Sequence, residues 1–566
     1  MPRVFAIIAF LFLIAFTVGG QEVFTESDRP KIGLVLSGGG AKGMAHIGVL
    51  KVLEELDIRP DYITGTSMGS IMGGLYAIGY SAYELDSIVR LMDWNTMLSD
   101  RIPLSEVVPE EKHDYNRFLF QFDLTPTGPK LPSAVVEGQA ISELMNYLTW
   151  HVAGVDDFDD FEIPFRCVAS DLISGEPYVF KAGNLGTAMR ASMAIPSVFS
   201  PVRLDTMLLV DGGVLDNIPV ATCREMGADI IITVNVGFRE KPSFDNFNSI
   251  GDILMGSAMI RSNYEAKKSL EETDILISPD LSGYSSASFF DGDAIIELGE
   301  IAARERFDEL ASLADFLSLY PQRSMTKPEM LDKIYIEDVK VGELKYLERT
   351  FVLGKSGLEK GHYYTKEEIN NGLHRLMGTR YVQSISYTLT KGEEGFVLTL
   401  LPKEAYRSKY NFSIQYDNIY KAGAIFNVAF RNKFVKGSKI AMSLNFSEYP
   451  IFNAEFLDYK GQRQVIGNYL KTRWEFNSVP FFADDGDEVG RMKQSYLNVE
   501  GGVLYAPNTS SVVRGGVYFR RQLSSSGKGL LNLFAEDVDK IGNNWWGLTL
   551  NYNKNSFNST LTDLLL

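Results

Sequence analysis

Tyr62-Ile63-Thr64-Gly65-Thr66-Ser67-Met68-Gly69-Ser70-Ile71-Met72 decides the fold of the first half of this chain. A short strand-like run, Tyr62 to Thr64, stops at a Gly-x-Ser-x-Gly pentapeptide, and a helix-like segment, Ser70 to Ile78, follows at once. A strand-to-helix turn this tight needs small neighbours. It thrusts the central side chain out of the backbone at a helix N-terminus, where the dipole favours developing negative charge. Ser67 is therefore the candidate nucleophile. The pentapeptide alone is only moderately specific; its place between strand and helix supplies the weight.

The same alternation extends outward from Lys31 to about residue 240. Ile32 to Leu36 precedes a glycine-rich turn and a helix through Leu56. Further buried strands fit Phe165 to Ala169, Met207 to Val210 and Ile230 to Val234. Short apolar runs alternating with helical periods predict an α/β domain, a parallel sheet with helices on both faces. Between Leu85 and Phe161 the pattern loosens around the amphipathic stretch Ala140 to Trp150, which reads as an inserted cap over the site.

Two further motifs carry chemistry. Gly38-Gly39-Gly40-Ala41-Lys42-Gly43 again lies between a strand and a helix. Consecutive glycines let backbone N–H groups converge on one point, suiting an anion or the oxyanion of a tetrahedral intermediate. The residues also satisfy Gly-x-Gly-x-x-Gly, but a dinucleotide site expects an acidic residue after the second strand, where Gly65-Thr66-Ser67 stands. A phosphate-binding P-loop fails too, because Met44 follows Gly43 where lysine is required. In Leu208-Leu209-Val210-Asp211-Gly212-Gly213 a strand end presents a carboxylate. Histidine is scarce: downstream of Asp211 only His362 and His374 occur, and both lie in a separate segment. A Ser, Asp, His triad is poorly supported. Either Asp211 takes the Ser67 proton directly or His46, on the helix after the glycine loop, is recruited; otherwise His46 is structural. Cys167 and Cys223 sit in apolar contexts and read as core residues, with a bridge permitted if geometry allows. No cluster shows calcium or zinc spacing, so no metal or cofactor is expected.

These motifs, in this order, resemble the patatin-like phospholipase family over roughly residues 30 to 320. The likeness extends to Ala191-Ser192-Met193-Ala194-Ile195-Pro196 and Asn217-Ile218-Pro219. The resemblance implies a dyad of Ser67 as nucleophile and Asp211 as base, and an oxyanion hole from Gly38, Gly39 and Gly40. It implies a phospholipase A-type serine esterase acting on membrane phospholipid. Lys42 fits the basic residue often found in that loop, and either meets a phosphate or faces solvent.

The rest of the chain reads as membrane-directed. Arg3, the apolar run Val4 to Val18 and the small residues before Gln21 predict a signal peptide over residues 1–20. The catalytic domain is expected over 21–328. A β, α, β, β succession over 329–405, opening at Lys333 to Val341, makes a small α+β module. Tyr364-Thr365-Lys366-Glu367-Glu368-Ile369 and Gly378-Thr379-Arg380-Tyr381-Val382 make it resemble a POTRA domain. From Tyr406 onward large apolar residues alternate with polar ones, as in Tyr410 to Tyr416 and Ile440 to Phe446. Such strands, rich in Tyr and Phe, predict a C-terminal antiparallel region over 406–566 that resembles part of an outer-membrane β-barrel. Only some 160 residues follow Tyr406, room for about eight or nine strands against the roughly sixteen of such barrels. The chain also ends Leu564-Leu565-Leu566, without a terminal aromatic, so the barrel region is expected to be incomplete.

An exported protein at the outer membrane, cell surface or periplasm of a Gram-negative bacterium follows from this reading, which admits a homodimer. A secretion or assembly device carrying a patatin-like passenger is the alternative. The formal net charge of −17, with no Lys/Arg-rich run, argues against a nucleic-acid partner.

Overall fold

Ile32–Leu36 is buried along its whole length, the pattern of a strand covered on both faces. In the computed structural model it is central in a sheet ordered Ile275–Ile277, Ile230–Val234, Ile32–Leu36, Tyr62–Thr66, Phe165–Asp171, Met207–Asp211, Val202–Leu204; Pro177–Phe180 also pairs with Phe165–Asp171. The structure describes residues 29–555 except 116, 126–127, 131–133, 239–252, 254–255, 322–328, 418–420, 462–463 and 527–540. The expected signal peptide, the 328 boundary and the Leu564-Leu565-Leu566 end lie outside the described residues.

The first five strands run parallel, whereas Met207–Asp211 returns antiparallel to Phe165–Asp171. The expected parallel sheet is thus mixed at one side. Leu34 and Leu36 belong to the main core, and Val35 belongs to a second cluster with Ile218, Val220, Cys223 and Ala266. Because alternate side chains of a strand point to opposite faces, helices must cover both. Register then positions the site: Thr66 lies opposite Val168 and Asp211 opposite Ala169. The strand ends carrying Ser67 and Asp211 are therefore separated by one strand only.

The segment after residue 328 has its own sheet, ordered His362–Thr365, Lys333–Val341, Phe396–Glu404, Val382–Lys391, with the middle pair parallel. A helix, Arg349–Ser356, and the strand His362–Thr365 add to the expected β, α, β, β succession. Both are short and half-polar, which is why periodicity misses them. The second helix, Lys366–Gly378, starts in a capping box in which Thr365 and Glu368 satisfy each other's backbone N–H. Its buried residues include Ile369, Leu373 and Leu376.

That core is completed by the catalytic domain. Ile102, Leu104, Val107 and Trp150 pack into it with Ile334, Ile336 and Leu398. The Gln139 side-chain amide accepts from Ile385 N (2.9 Å) and donates to Ile385 O (2.8 Å), mimicking a strand neighbour. Trp150 Nε1 donates to the Tyr387 hydroxyl at 3.0 Å. Sequence separates these units at residue 328; packing joins them.

Eight strands from Ser408–Asp417 to Ile541–Lys554 then form an antiparallel meander, open among the described residues. Its two faces differ. One row across it reads Tyr410, Val428, Met442, Ala454, Thr472, Val499, Phe519, Trp546. The opposite face carries paired polar groups: Asn411 with Asn427, Lys471 with Glu455, Tyr469 with Glu500.

The insertion is where the expectation of a single cap gives way. Its helix, Gln139–Leu148, does pack over the catalytic core. Phe120–Thr125 and Gly128–Lys130 instead form a hairpin that pairs with Ser408–Asp417 and extends the meander to ten strands. A partner strand twelve or more β-units away in sequence leaves no local signal, since pairing depends on the edge the sheet offers. Nearby, buried Glu111 binds Arg431 at 2.8 Å and Lys439 at 3.0 Å.

Candidate active site

Ser67 occupies the turn between Tyr62–Thr66 and the helix Met68–Ala77 with φ 54 and ψ −124. Positive φ is costly for a side chain larger than glycine and is held only where surroundings enforce it. Here the enforcement is close packing: a Cβ on Gly65 would lie 2.4 Å from the Gly69 carbonyl, and one on Gly69 2.2 Å from the Leu36 carbonyl. The Ser67 amide donates to Ser192 Oγ at 2.9 Å, and Ser192 Oγ donates to Val168 O at 2.6 Å. The turn is thereby tied to the neighbouring strand.

Ser67 Oγ donates to Asp211 Oδ2 at 2.6 Å. The other carboxylate oxygen, Oδ1, accepts from Gly213 N at 2.7 Å. Both residues are almost fully buried, at 4% and 6% exposure. Burial raises the Asp211 pKa to about 6, against the opposing pull of the Ser67 hydroxyl and the Gly213 amide. A carboxyl held there is a better proton acceptor than an ordinary aspartate, yet is ionised at neutral pH.

The glycine loop lies beside this pair. A Cβ on Gly38 would stand 3.0 Å from Ser67 Cβ. The Gly38 amide donates to Asn217 O and its carbonyl accepts from Asn217 Nδ2, both at 3.3 Å. Gly40 adopts φ 58, and a Cβ there would lie 2.4 Å from the Ser286 carbonyl, so that position requires glycine. Among the described residues no hydrogen bond from the Gly39 or Gly40 amide is present. Lys42 is about nine-tenths buried, which corrects the option that it faces solvent.

His46 is not part of the pair. Its Nε2 bonds Ser37 O at 2.8 Å, and burial lowers its pKa to about 4, opposed by that bond. It is neutral at physiological pH and braces the strand before the loop. Cys167 and Cys223 are both buried free thiols, packed in different clusters. Among the described residues no group of His, Cys, Asp or Glu is arranged to hold a metal ion.

Beside the helix that follows the nucleophile is an apolar cavity of about 50 Å³. Met68, Ile71, Met72 and Leu75 form one wall, and Ile141, Leu144, Met145 and Leu148 of the insertion helix form another. Trp94 and Phe289 close it, their rings 4.8 Å apart. Sequence reasoning named Ser67, Asp211 and the glycines, and the structure brings Ser67, Asp211 and Gly38 together, with Gly39 and Gly40 next along the loop. It assigned no role to Ser192 or Asn217, although both stand in stretches it singled out; their work lies in contacts 125 and 179 residues away in sequence.

A strand-elbow serine, a carboxylate in hydrogen-bond reach and a glycine loop together define a serine-hydrolase-type site. Residues 34–224 match the family model described as Patatin-like phospholipase. An uncharacterized NTE family protein of Mycobacterium bovis is 32% identical over 214 residues, covering 38% of this chain and 51% of that protein. Lysophospholipase NTE1 of Scheffersomyces stipitis is 31% identical over 231 residues, covering 40% of this chain and 13% of the relative. The chain thus spans about half the length of the mycobacterial relative and far less of the yeast one. Among solved structures, BamA from Haemophilus ducreyi lacking POTRA domains 1-3 is similar over 42% of this chain and 46% of its own, at 11% identity and a TM-score of 0.31.

Proposed function

We propose that the chain is a lipid acyl hydrolase in which Ser67 attacks the ester carbonyl of a phospholipid while Asp211 accepts its proton. The observation that carries this reading is the 2.6 Å hydrogen bond from Ser67 Oγ to a carboxylate whose pKa burial lifts to about 6. As the tetrahedral intermediate forms, its oxyanion is held by loop amides. Gly39 and Gly40 supply them, since Gly38 N–H is already turned to Asn217. Collapse releases the alcohol, which takes the proton from Asp211. Water then attacks the acyl-Ser67 ester, giving up a proton to Asp211; as the acyl–Oγ bond breaks, Ser67 Oγ takes that proton back and the fatty acid leaves. The all-apolar lining of the cavity beginning at Met68 supports a site for the acyl chain. Lys42 beside the glycine loop supports a phosphate contact, and no cofactor enters any step.

The segment 329–405 is proposed as a POTRA-like module, supported by its mixed four-stranded sheet with two helices. The meander is proposed as outer-membrane barrel-like, supported by its one apolar and one polar face. An exported enzyme at the outer membrane follows from these two readings.

The test is fatty-acid release from phospholipid vesicles by the full chain, beside Ser67→Ala and Asp211→Asn, with chelator present. Release by wild type alone supports the dyad. Inert wild type would refute the substrate class, and an active Asp211→Asn would refute the base.

A further inference from the structure

The hairpin Phe120–Thr125 with Gly128–Lys130 belongs by sequence to the catalytic domain, yet its backbone is part of the C-terminal sheet. We infer that this hairpin is a lipid-facing element, lying against a bilayer alongside the apolar face of the meander and so fastening the catalytic domain to the membrane by its own strand. The inference rests on the outer-membrane reading of the meander given above.

Alternation is the first argument. Phe122 pairs with Tyr410 and Phe120 with Phe412, placing both rings on the apolar face. Gln121 and Asp123 point the other way, where Asp123 lies 3.7 Å from Lys409. The hairpin thus repeats the apolar-out, polar-in pattern of the strands it joins, although it comes from a different domain.

Continuity is the second. Phe120 and Phe412 have ring centroids 6.3 Å apart, Phe412 and Phe426 5.0 Å, and Phe426 and Phe446 5.7 Å. The row through Phe122 crosses from the hairpin to Trp546 without a charged residue. Phe120 is 53% exposed and Leu548, at the far side, 85%. This uncharged row spans nine strands, and exposed apolar surfaces that run on in this way mark interaction or membrane sites. Strands of 9 to 21 residues in the meander suffice to cross a hydrocarbon core, which needs about 9–11. A bilayer therefore matches the extent of this row and the absence of charge along it.

The test labels single introduced cysteines in the full chain with an environment-sensitive fluorophore, in vesicles of phosphatidylethanolamine and phosphatidylglycerol carrying spin-labelled quencher lipid. Cys167 and Cys223 are buried, which keeps background labelling low. Phe122→Cys is compared with Leu470→Cys on the apolar face of the meander and with Gln121→Cys on the polar side of the hairpin; Phe120→Cys serves if Phe122→Cys does not fold. Quenching at the hairpin phenylalanine as strong as at Leu470, and severalfold above Gln121, is expected. Quenching at Leu470 but not at the phenylalanine would overturn the inference and leave the membrane reading intact. No quenching at either position would overturn both. Quenching that instead rises with protein concentration in lipid without quencher would place a second copy of the chain on this face and overturn the bilayer assignment.

Discussion

The two large sheets use opposite arrangements of apolar residues, and their difference separates chemistry from attachment. In the catalytic sheet, Ile32–Leu36 is buried on both faces, and helices keep water from everything except the strand ends. Its polar groups cluster where strands stop, at Ser67 and Asp211. In the C-terminal meander, one face carries paired polar groups such as Asn411 with Asn427 and Lys471 with Glu455 beside a small apolar cluster of Leu457, Tyr469, Leu504 and Val512, and the other face shows large exposed apolar residues such as Trp546, Leu548 and Leu550. The first sheet dehydrates a reacting pair; the second offers area.

The largest expected contrast is chemical. Ser67→Ala and Asp211→Asn should each lower kcat/KM by about three to six orders of magnitude, and the double variant should fall little further, because nucleophile and base act as a unit. Tyr469→Phe and Glu500→Gln, which break a 2.7 Å hydroxyl–carboxylate bond in the meander, should leave turnover within a few-fold of wild type, as read by hydrolysis of a soluble short-chain ester.

Next comes the junction between the regions. Glu111→Ala leaves Arg431 buried without its carboxylate partner and Lys439 with only Asp114 at 3.9 Å and the Glu110 carbonyl. Breaking such a pair from one side costs about 3–5 kcal/mol, measurable as a lower denaturation midpoint of the full chain. Gln139→Ala, which removes two hydrogen bonds to Ile385, should cost about 1–3 kcal/mol in the same experiment.

The last effect has the opposite sign. The Asp211 pKa is about 6 in the folded state, above the ordinary 3.8. The native state therefore binds the proton more tightly, and stability falls as pH rises from about 4 through about 6. Asp211→Asn should remove that penalty and stabilise the inactive protein above pH 6 by up to about 3 kcal/mol. Below about pH 4 the advantage should vanish, as followed by thermal unfolding at both pH values.

How much of this was legible beforehand follows the same division. The elbow and the glycine loop were readable because close backbone approaches demand glycine at Gly65, Gly69 and Gly40, and such demands are local. Asp211 was readable only in company, since Asp-Gly-Gly is also a common turn. The alternating strands beyond Tyr406 were likewise plain, and eight appear. The hairpin at Phe120 was not: its alternation covers six residues and its partner strand lies near residue 410. Read locally it was part of a cap. The antiparallel return of Met207–Asp211 was hidden for the same reason, because strand direction is set by which neighbour is available.

The most direct measurement of the central claim is the pH dependence of Ser67 phosphonylation by an active-site-directed fluorophosphonate, followed by mass spectrometry of the full chain. In wild type the rate should rise through a single ionisation near pH 6 to a plateau, with modification confined to Ser67, and Asp211→Asn should abolish it. A rate with no ionisation near pH 6, or one retained in Asp211→Asn, would contradict Asp211 as the group that takes the serine proton.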